Sequence, residues 1–177
     1  MAADWRIEPL QQEHERGRFD CGEPALDEYL RRYARQNQDS GIARTFVAVV
    51  ANEPKRVVGY YSVAVGAIDR ANLPAQAAKR FPGFPIPVAR IGRLAVDRAM
   101  QGQGLGEDLM MDALRRSLRV AAEVGIVAVL IDAKHERARR FYARYEFEAL
   151  PDQPLTLWLP MAAARRLFSG VKGLGGA

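Results

Sequence analysis

The sequence contains very little cysteine and histidine. Cys21 is the only cysteine, and His14 and His135 are the only histidines, in 177 residues. A single cysteine excludes an internal disulfide framework, and these few side chains, without ligand-like spacing, predict no metal site. No apolar run approaches the roughly 20 residues that span a bilayer, and the N-terminus lacks the apolar stretch of a signal peptide. We therefore expect a cytoplasmic protein that makes no membrane contact.

Lysine is scarce as well. It occurs at four positions, so that 22 of the 26 cationic side chains are arginine, and the net charge is +5. The planar fork of arginine suits phosphate better than the point charge of lysine. The excess indicates either a phosphate-rich partner or the codon usage of a GC-rich genome, and composition leaves both open.

The sequence does contain a strand, a glycine turn and a helix start in direct succession, at residues 89–106. Glycine lets the backbone approach a ligand closely, and the first N–H groups of a helix favour negative charge. The pattern therefore predicts a phosphate-binding turn, with a simple tight turn as the alternative. A Walker loop is excluded because Glu107 and Asp108 stand where it needs lysine and serine or threonine. A Rossmann fingerprint fits poorly, despite an acidic Asp132 further on, because the glycines are spaced as Gly-x-Gly-x-Gly.

Two motifs resemble the GNAT family of N-acetyltransferases, which bind acetyl-CoA. Gln101-x-x-Gly104-x-Gly106 after a Leu-Ala-Val strand is similar to the family's motif A, and Ala138-x-x-Phe141-Tyr142-x-x-Tyr145-x-Phe147 is similar to a second segment. The resemblance implies that the turn amides hold the pyrophosphate and that the strand backbone pairs with the pantetheine arm. The implied cofactor contacts are Leu94, Ala95, Val96, Gln101, Gly102, Gln103, Gly104, Leu105 and Gly106.

The order of the elements agrees with that resemblance. Periodicity predicts strands near 5–10, 43–51, 56–67, 126–131 and 155–159 besides the one before the turn. The spacing of 43–51 and 56–67 indicates a hairpin. Periodicity also predicts helices over 24–36, 136–145 and 162–168, a helix directly after the glycine turn with a core-facing stripe from Leu109 to Ala121, and an ordered proline-rich loop over 81–87. We expect an α/β protein with a central, mixed, twisted sheet of six to seven strands flanked by helices. Residues 1–168 would form one GNAT acetyltransferase domain, and 169–177 a flexible glycine-rich tail.

A narrower resemblance is to the acetyltransferase toxins of bacterial toxin–antitoxin pairs. It is carried by Phe19-Asp20-Cys21-Gly22, by Leu26-Asp27-x-Tyr29-Leu30, by Arg44-Thr45-Phe46-Val47 and by residues 92–97. The resemblance implies an enzyme that acetylates the amino group of aminoacyl-tRNA and halts translation. It also implies a ribbon-helix-helix antitoxin as partner and a homodimer. The sequence departs from the common family pattern at Glu146, where glycine is usual, and at His135, where asparagine is common; Glu146 is tolerable if that residue is not left-handed.

The chemistry needs an acid for the departing thiolate, and Tyr142 is the candidate that the resemblance indicates. The alternative is a core aromatic, which is how we interpret Tyr145. No general base stands out, which is weakly consistent with an α-amine, whose reference pKa near 7.7–8.0 lies well below the 10.4 of lysine. An acetyltransferase for protein lysines or small amines, and a non-catalytic nucleic-acid or partner-binding module, stay open as alternatives.

A basic face is the candidate substrate surface. Its members lie on the polar side of the first helix or flank the strand before the turn: Arg31, Arg32, Arg35, Arg90 and Arg93. Such residues would contact the phosphates of tRNA. The alternative, which is the commoner one for exposed arginines, is that they only keep the helix surface hydrated and bind no ligand.

Overall fold

A computed structural model of the protein describes residues 4–169, which contain seven β-strands in one mixed sheet. The strand order is β1-β2-β3-β4-β5-β7-β6, which confirms the predicted α/β architecture. The strands are β1 (Trp5–Pro9), β2 (Arg44–Val50), β3 (Glu53–Ile68), β4 (Ile86–Val96), β5 (Ala128–Asp132), β6 (Glu148–Leu150) and β7 (Gln153–Pro160).

Six α-helices, one π-helix and two 3₁₀ turns accompany these strands within residues 4–169. The α-helices are α1 (Pro24–Glu28), α2 (Ala34–Asp39), α3 (Ala75–Ala78), α4 (Leu105–Ala121), α5 (Glu136–Ala143) and α6 (Met161–Ser169). The π-helix, Tyr29–Tyr33, joins α1 to α2, and the 3₁₀ turns are Arg70–Asn72 and Arg98–Met100. None of the helices in the described part of the chain is both long and apolar enough to cross a bilayer.

The first of two compact units consists of the described residues up to Ala64 together with Ile91–Ala113. Strand β2 pairs antiparallel with both β1 and β3, as the predicted hairpin requires. The core of this unit lies between those strands and the helical segment 24–39, where Leu30, Val47 and Tyr60 are fully buried. Tyr60 also donates a hydrogen bond to the carbonyl of Leu26 (2.6 Å), which fixes α1 on the sheet.

The second unit consists of Val65–Arg90 and the described residues from Leu114 onward. Strand β7 pairs antiparallel with β5 and with β6. Ala128, Val129, Leu130 and Ile131 of β5 are all buried, as expected for a strand covered on both faces. Of the predicted tail, Ser169 ends α6 and residues 170–177 lie outside the described part of the chain. The assignment of 1–168 to one GNAT domain stays a prediction.

The first helix departs from its predicted period. The sequence pattern predicts a buried stripe of Leu26, Tyr29, Leu30 and Tyr33, but Tyr33 is 46% exposed, and Ala34 is buried instead. The π-helix is the reason, because its wider turn holds one more residue and shifts the buried position along the chain. The helical segment also continues to Asp39, beyond the predicted end at residue 36.

Three further local predictions need correction. Strand β4 begins at Ile86 and so includes Pro87, which was expected in a loop; the Pro87 carbonyl still accepts a hydrogen bond from the Val127 N–H (3.0 Å). The short strand β6 was not predicted. Glu146 is left-handed, with φ 68°, and it is the only such non-glycine residue among those described. Glutamate was expected to replace the usual glycine without strain only if this residue were not left-handed, and that expectation fails. A side chain there costs roughly 1–2 kcal/mol that glycine would not.

Candidate active site

The glycine turn begins at Asp97, a buried carboxylate at the end of β4. Its two oxygens accept hydrogen bonds from the backbone N–H of Asp20 (3.1 Å) and from that of Ala99 (2.9 Å). The N–H of Arg98 donates in turn to the Asp20 carbonyl (2.9 Å). Asp97 therefore joins the segment around Asp20 to the start of the turn. From the sequence alone Asp97 is interpreted as a group at the end of a strand, although an aspartate whose side chain accepts from the N–H two residues later is a common turn signal.

Gln101 makes a second connection between the same two segments. Its side-chain amide donates to the carbonyl of Val96 (2.9 Å) and to that of Cys21 (3.1 Å). The Gln101 side chain is thus engaged within the protein, and the backbone N–H is the part of this residue that could contact a cofactor. Burial, followed by a hydrogen bond with Asp27, raises the pKa of the nearby Cys21 thiol to about 12, so this cysteine holds its proton near neutral pH.

Gly102 and Gly104 give the turn its open surface. Their φ angles are +78° and +93°, a conformation that side chains rarely adopt, and a Cβ atom built on either would meet no protein atom within 4 Å. Both residues are exposed, so that a ligand can approach their backbone directly. The arrangement fits the phosphates of acetyl-CoA, because the space that side chains would fill is open to solvent.

Helix α4 begins directly after Gly104. The Asp108 N–H donates to the Gly104 carbonyl (3.1 Å), which leaves the preceding N–H groups at the helix terminus without an intrahelical acceptor. Leu105 is 1% exposed, so only its backbone can contact a ligand. A Cβ on Gly59 would lie 3.0 Å from side-chain atoms of Leu105 and Leu109, which shows how closely α4 sits on β3 at this point. The helix terminus is therefore held firmly in place.

Tyr142 lies in the second unit, on α5. His135 caps this helix, its Nδ1 accepting from the Ala138 N–H (3.2 Å), a role that asparagine also performs well. Tyr142 is 5% exposed and contacts the rings of Phe141 (5.2 Å) and Phe147 (6.0 Å) edge to face. Burial raises the pKa of the Tyr142 phenol, which keeps it protonated. These contacts agree with a core role and with an acid role alike.

The predicted substrate arginines divide between the two units, and each has a partner within the protein. In the first unit, Arg31, Arg32 and Arg35 pair with Asp27 (3.8 Å), Glu28 (3.3 Å) and Asp39 (3.9 Å), each four residues away. The Arg93 guanidinium lies 3.7 Å from the centre of the Tyr29 ring. The Arg32–Glu28 pair is exposed, so water and a competing phosphate could replace it, whereas Asp27 is buried and holds Arg31 from the protein side.

Arg90 lies in the second unit, where it forms a bidentate ion pair with Asp132, both distances being 2.8 Å. The hydrogen bonds that Arg90 donates to Asp132 raise the pKa of Arg90. Thr156 also donates to Asp132 (3.2 Å). The carboxylate of Asp132 is thus occupied by Arg90 and by Thr156 of the neighbouring strand. This leaves no reason to interpret Asp132 as the ribose-binding acid of a Rossmann fold.

Comparison with known proteins agrees with this geometry. A family model described as an acetyltransferase (GNAT) domain matches residues 41–149. The tRNA-acetylating toxin of Mycobacterium tuberculosis is 43% identical over 150 residues, which cover 85% of this chain and 88% of that protein. The chain belongs to the GNAT family of acetyltransferases. Membership makes it an N-acetyltransferase that uses acetyl-CoA.

Solved structures of GNAT toxins have the same fold. AtaT complexed with acetyl-methionyl-tRNAfMet superimposes with a TM-score of 0.86 at 31% identity, covering 93% of this chain and 99% of that one. A mutant AtaT bound to the C-terminus of the antitoxin AtaR and to acetyl-CoA gives a TM-score of 0.80 at 30% identity, covering 94% of this chain and 99% of that one.

Within residues 4–169, no group of three or more histidine, cysteine, aspartate or glutamate side chains could hold a metal.

We predict that Gly104→Val abolishes acetyl-CoA binding measured by calorimetry, because the new side chain fills the open space above the turn and strains a residue at φ +93°. Gly41→Val is the matched control, since Gly41 has φ +80°, equally open surroundings and a position outside the turn. The control should lose similar stability and keep its affinity. Unchanged binding in a folded Gly104→Val variant would remove the turn from the cofactor site.

Proposed function

We propose that this chain is a toxin that acetylates the α-amino group of aminoacyl-tRNA and so blocks translation. The observation that supports the proposal is the open glycine turn at the N-terminus of α4, a geometry suited to phosphate, in a chain 43% identical to a tRNA-acetylating toxin. A structural relative of similar length, AtaT, was solved with acetyl-methionyl-tRNAfMet, which is the product that such a reaction would give.

The chemistry of an α-amine suits the residues at hand. An α-amino group has a reference pKa near 7.7–8.0, so an appreciable fraction is already neutral and nucleophilic at physiological pH. Lysine, near 10.4, usually needs a group that accepts its proton. An aminoacyl ester therefore makes the smaller demand on this protein, which offered no obvious general base from its sequence.

We assign the proton needed at the end of the reaction to Tyr142. Bound acetyl-CoA supplies the acetyl group as a thioester. The Tyr142 hydroxyl, kept protonated by its buried position, would donate its proton to the leaving sulfur. Among residues 4–169 this hydroxyl makes no hydrogen bond to a protein group, so its proton is not committed elsewhere.

The proposal extends to the partners that act with such a toxin. AtaT binds the C-terminus of its antitoxin AtaR, and we propose an equivalent antitoxin for this chain, of the ribbon-helix-helix type. We also propose a homodimer as the active form. Charged tRNA is a cytoplasmic substrate, so the enzyme would act in the cytoplasm.

The reaction can be tested directly. Incubation with acetyl-CoA and a pool of charged tRNAs, followed by mass analysis of the aminoacyl ends, should detect acetyl groups on α-amines of one or more tRNA species. The Gly104→Val variant serves as the inactive control. Acetylation found only on protein lysines or free amines would replace the proposal with a different substrate class.

Removal of the Tyr142 hydroxyl separates a chemical role from a packing role. Tyr142→Phe should lower turnover by about 10²–10⁴-fold, the usual range for a positioned acid, while acetyl-CoA affinity barely changes. Because burial raises this pKa, the parent should keep the proton up to at least pH of about 10. Tyr145→Phe, two residues beyond the end of α5, is the control and should retain activity. Full activity in Tyr142→Phe would show that the hydroxyl is dispensable.

Contacts to tRNA phosphates should appear in the salt dependence of binding. Replacing Arg31, Arg32 and Arg35 by glutamine should weaken charged-tRNA binding and flatten the log–log salt slope by roughly one unit per lost phosphate contact. Acetylation of a minimal aminoacyl ester should survive. The matched control replaces Arg6, Arg18 and Arg56, which also form ion pairs in the first unit. Superimposable slopes for the two triple variants and the parent would exclude this face.

A further inference from the structure

A basic groove lies within the second unit, between the C-terminal half of α4 and helix α6. Its cavity volume is about 550 Å³, within the range of small-ligand sites. The lining residues, which we call the α4–α6 groove, are Arg115, Leu118, Arg119, Arg165, Phe168 and Ser169. None of them has a part in the acetyl transfer derived above.

The three arginines of the groove have no counter-ion in the part of the chain that the structure describes. Within residues 4–169, no carboxylate lies within 4 Å of Arg115, Arg119 or Arg165, in contrast to the paired arginines Arg32 and Arg90. Arg115 and Arg119 are four residues apart on α4 and so lie on one face, and Arg165 comes from the other helix. Three unpaired positive charges around one cavity favour an anionic occupant.

The apolar part of the groove limits what that occupant can be. Leu118 and Phe168 are partly buried, and the Arg115 guanidinium lies 5.3 Å from the centre of the Phe168 ring. The arginine therefore already covers one face of the ring, which leaves a nucleobase only the opposite face for stacking. The outer surface of an RNA helix offers phosphate and sugar and nothing apolar to place against Leu118.

We propose that the α4–α6 groove binds an acidic, amphipathic peptide segment of a partner protein. One aliphatic side chain of that segment would pack on Leu118 and Phe168, and carboxylates on either side of it would pair with Arg115, Arg119 and Arg165. Guanidinium–carboxylate pairs supply both charge and geometric specificity. The proposal does not depend on the substrate of the acetyl transfer.

The test uses the full-length protein and a short fluorescein-labelled peptide of glutamate and leucine, followed by fluorescence anisotropy at low and moderate salt. Arg119→Glu and Arg165→Glu should each weaken binding by about tenfold or more, which corresponds to about 1.4 kcal/mol for one charged contact. Arg166→Glu is the matched control, because Arg166 is an exposed neighbour on α6 outside the groove. Its affinity should change far less.

Two altered peptides test the chemistry of the occupant. Glutamine in place of glutamate, and alanine in place of leucine, should each reduce the affinity markedly, because the groove would recognise both features. Equal losses for Arg166→Glu and the groove variants would overturn the proposal, as would the absence of saturable binding. So would tighter, groove-dependent binding of an RNA hairpin, or a change in the sedimentation of the protein alone in the groove variants, which would indicate an interface between copies.

Discussion

The bonds of the Asp97 carboxylate are the interaction on which the candidate cofactor turn depends. A turn with two left-handed glycines has high conformational freedom when unfolded, and that freedom must be removed before the backbone can meet a ligand. Asp97 removes much of it by accepting from two backbone N–H groups that lie far apart in the sequence, those of Asp20 and Ala99. Hydrogen bonds to a charged group contribute about 1.5–3 kcal/mol each, and losing the acceptor would leave amides unsatisfied. The buried side chain of Asp97, which lies beside the glycine turn, is therefore what orders the turn.

The arginines of this chain illustrate why charge cannot be interpreted by counting. Arg31, Arg32 and Arg90 look equally available in the sequence, yet each stands opposite a carboxylate, with Arg90 the most tightly held. Arg119 and Arg165, by contrast, line a cavity, and neither has a carboxylate partner among residues 4–169. The positive potential of a surface comes mainly from cations that have no carboxylate beside them. Which cations these are depends on how the helices pack, and the sequence alone does not reveal it.

Much of the fold and part of the site could be predicted because their signals are local. The glycine spacing from Gly102 to Gly106, the stripe of α4 and the apolar run of β5 each reflect backbone geometry that a few neighbouring residues determine. The role of Asp97 could not be predicted, since it rests on a bond to Asp20, distant in sequence. Pro87 was wrongly predicted to lie in a loop. Proline has no N–H to donate, but its carbonyl can still accept a hydrogen bond from a neighbouring segment, as it does here from Val127. The role of Tyr142 stays a prediction, because an acid and a core ring look alike in burial.

The π-helix at Tyr29–Tyr33 has a consequence for how this segment tolerates change. Its extra residue makes the helix a joint between two registers, so faces assigned on one side do not continue on the other. Deleting one residue there would let the hydrogen bonds close as an ordinary α-helix, and the residues that follow would keep their present faces, because the wider turn is what accommodates the extra residue. Strands β2 and β3 have no comparable freedom, because a one-residue slip exchanges the buried face for the exposed one. This helical segment can therefore absorb a one-residue change in chain length that the neighbouring strands cannot.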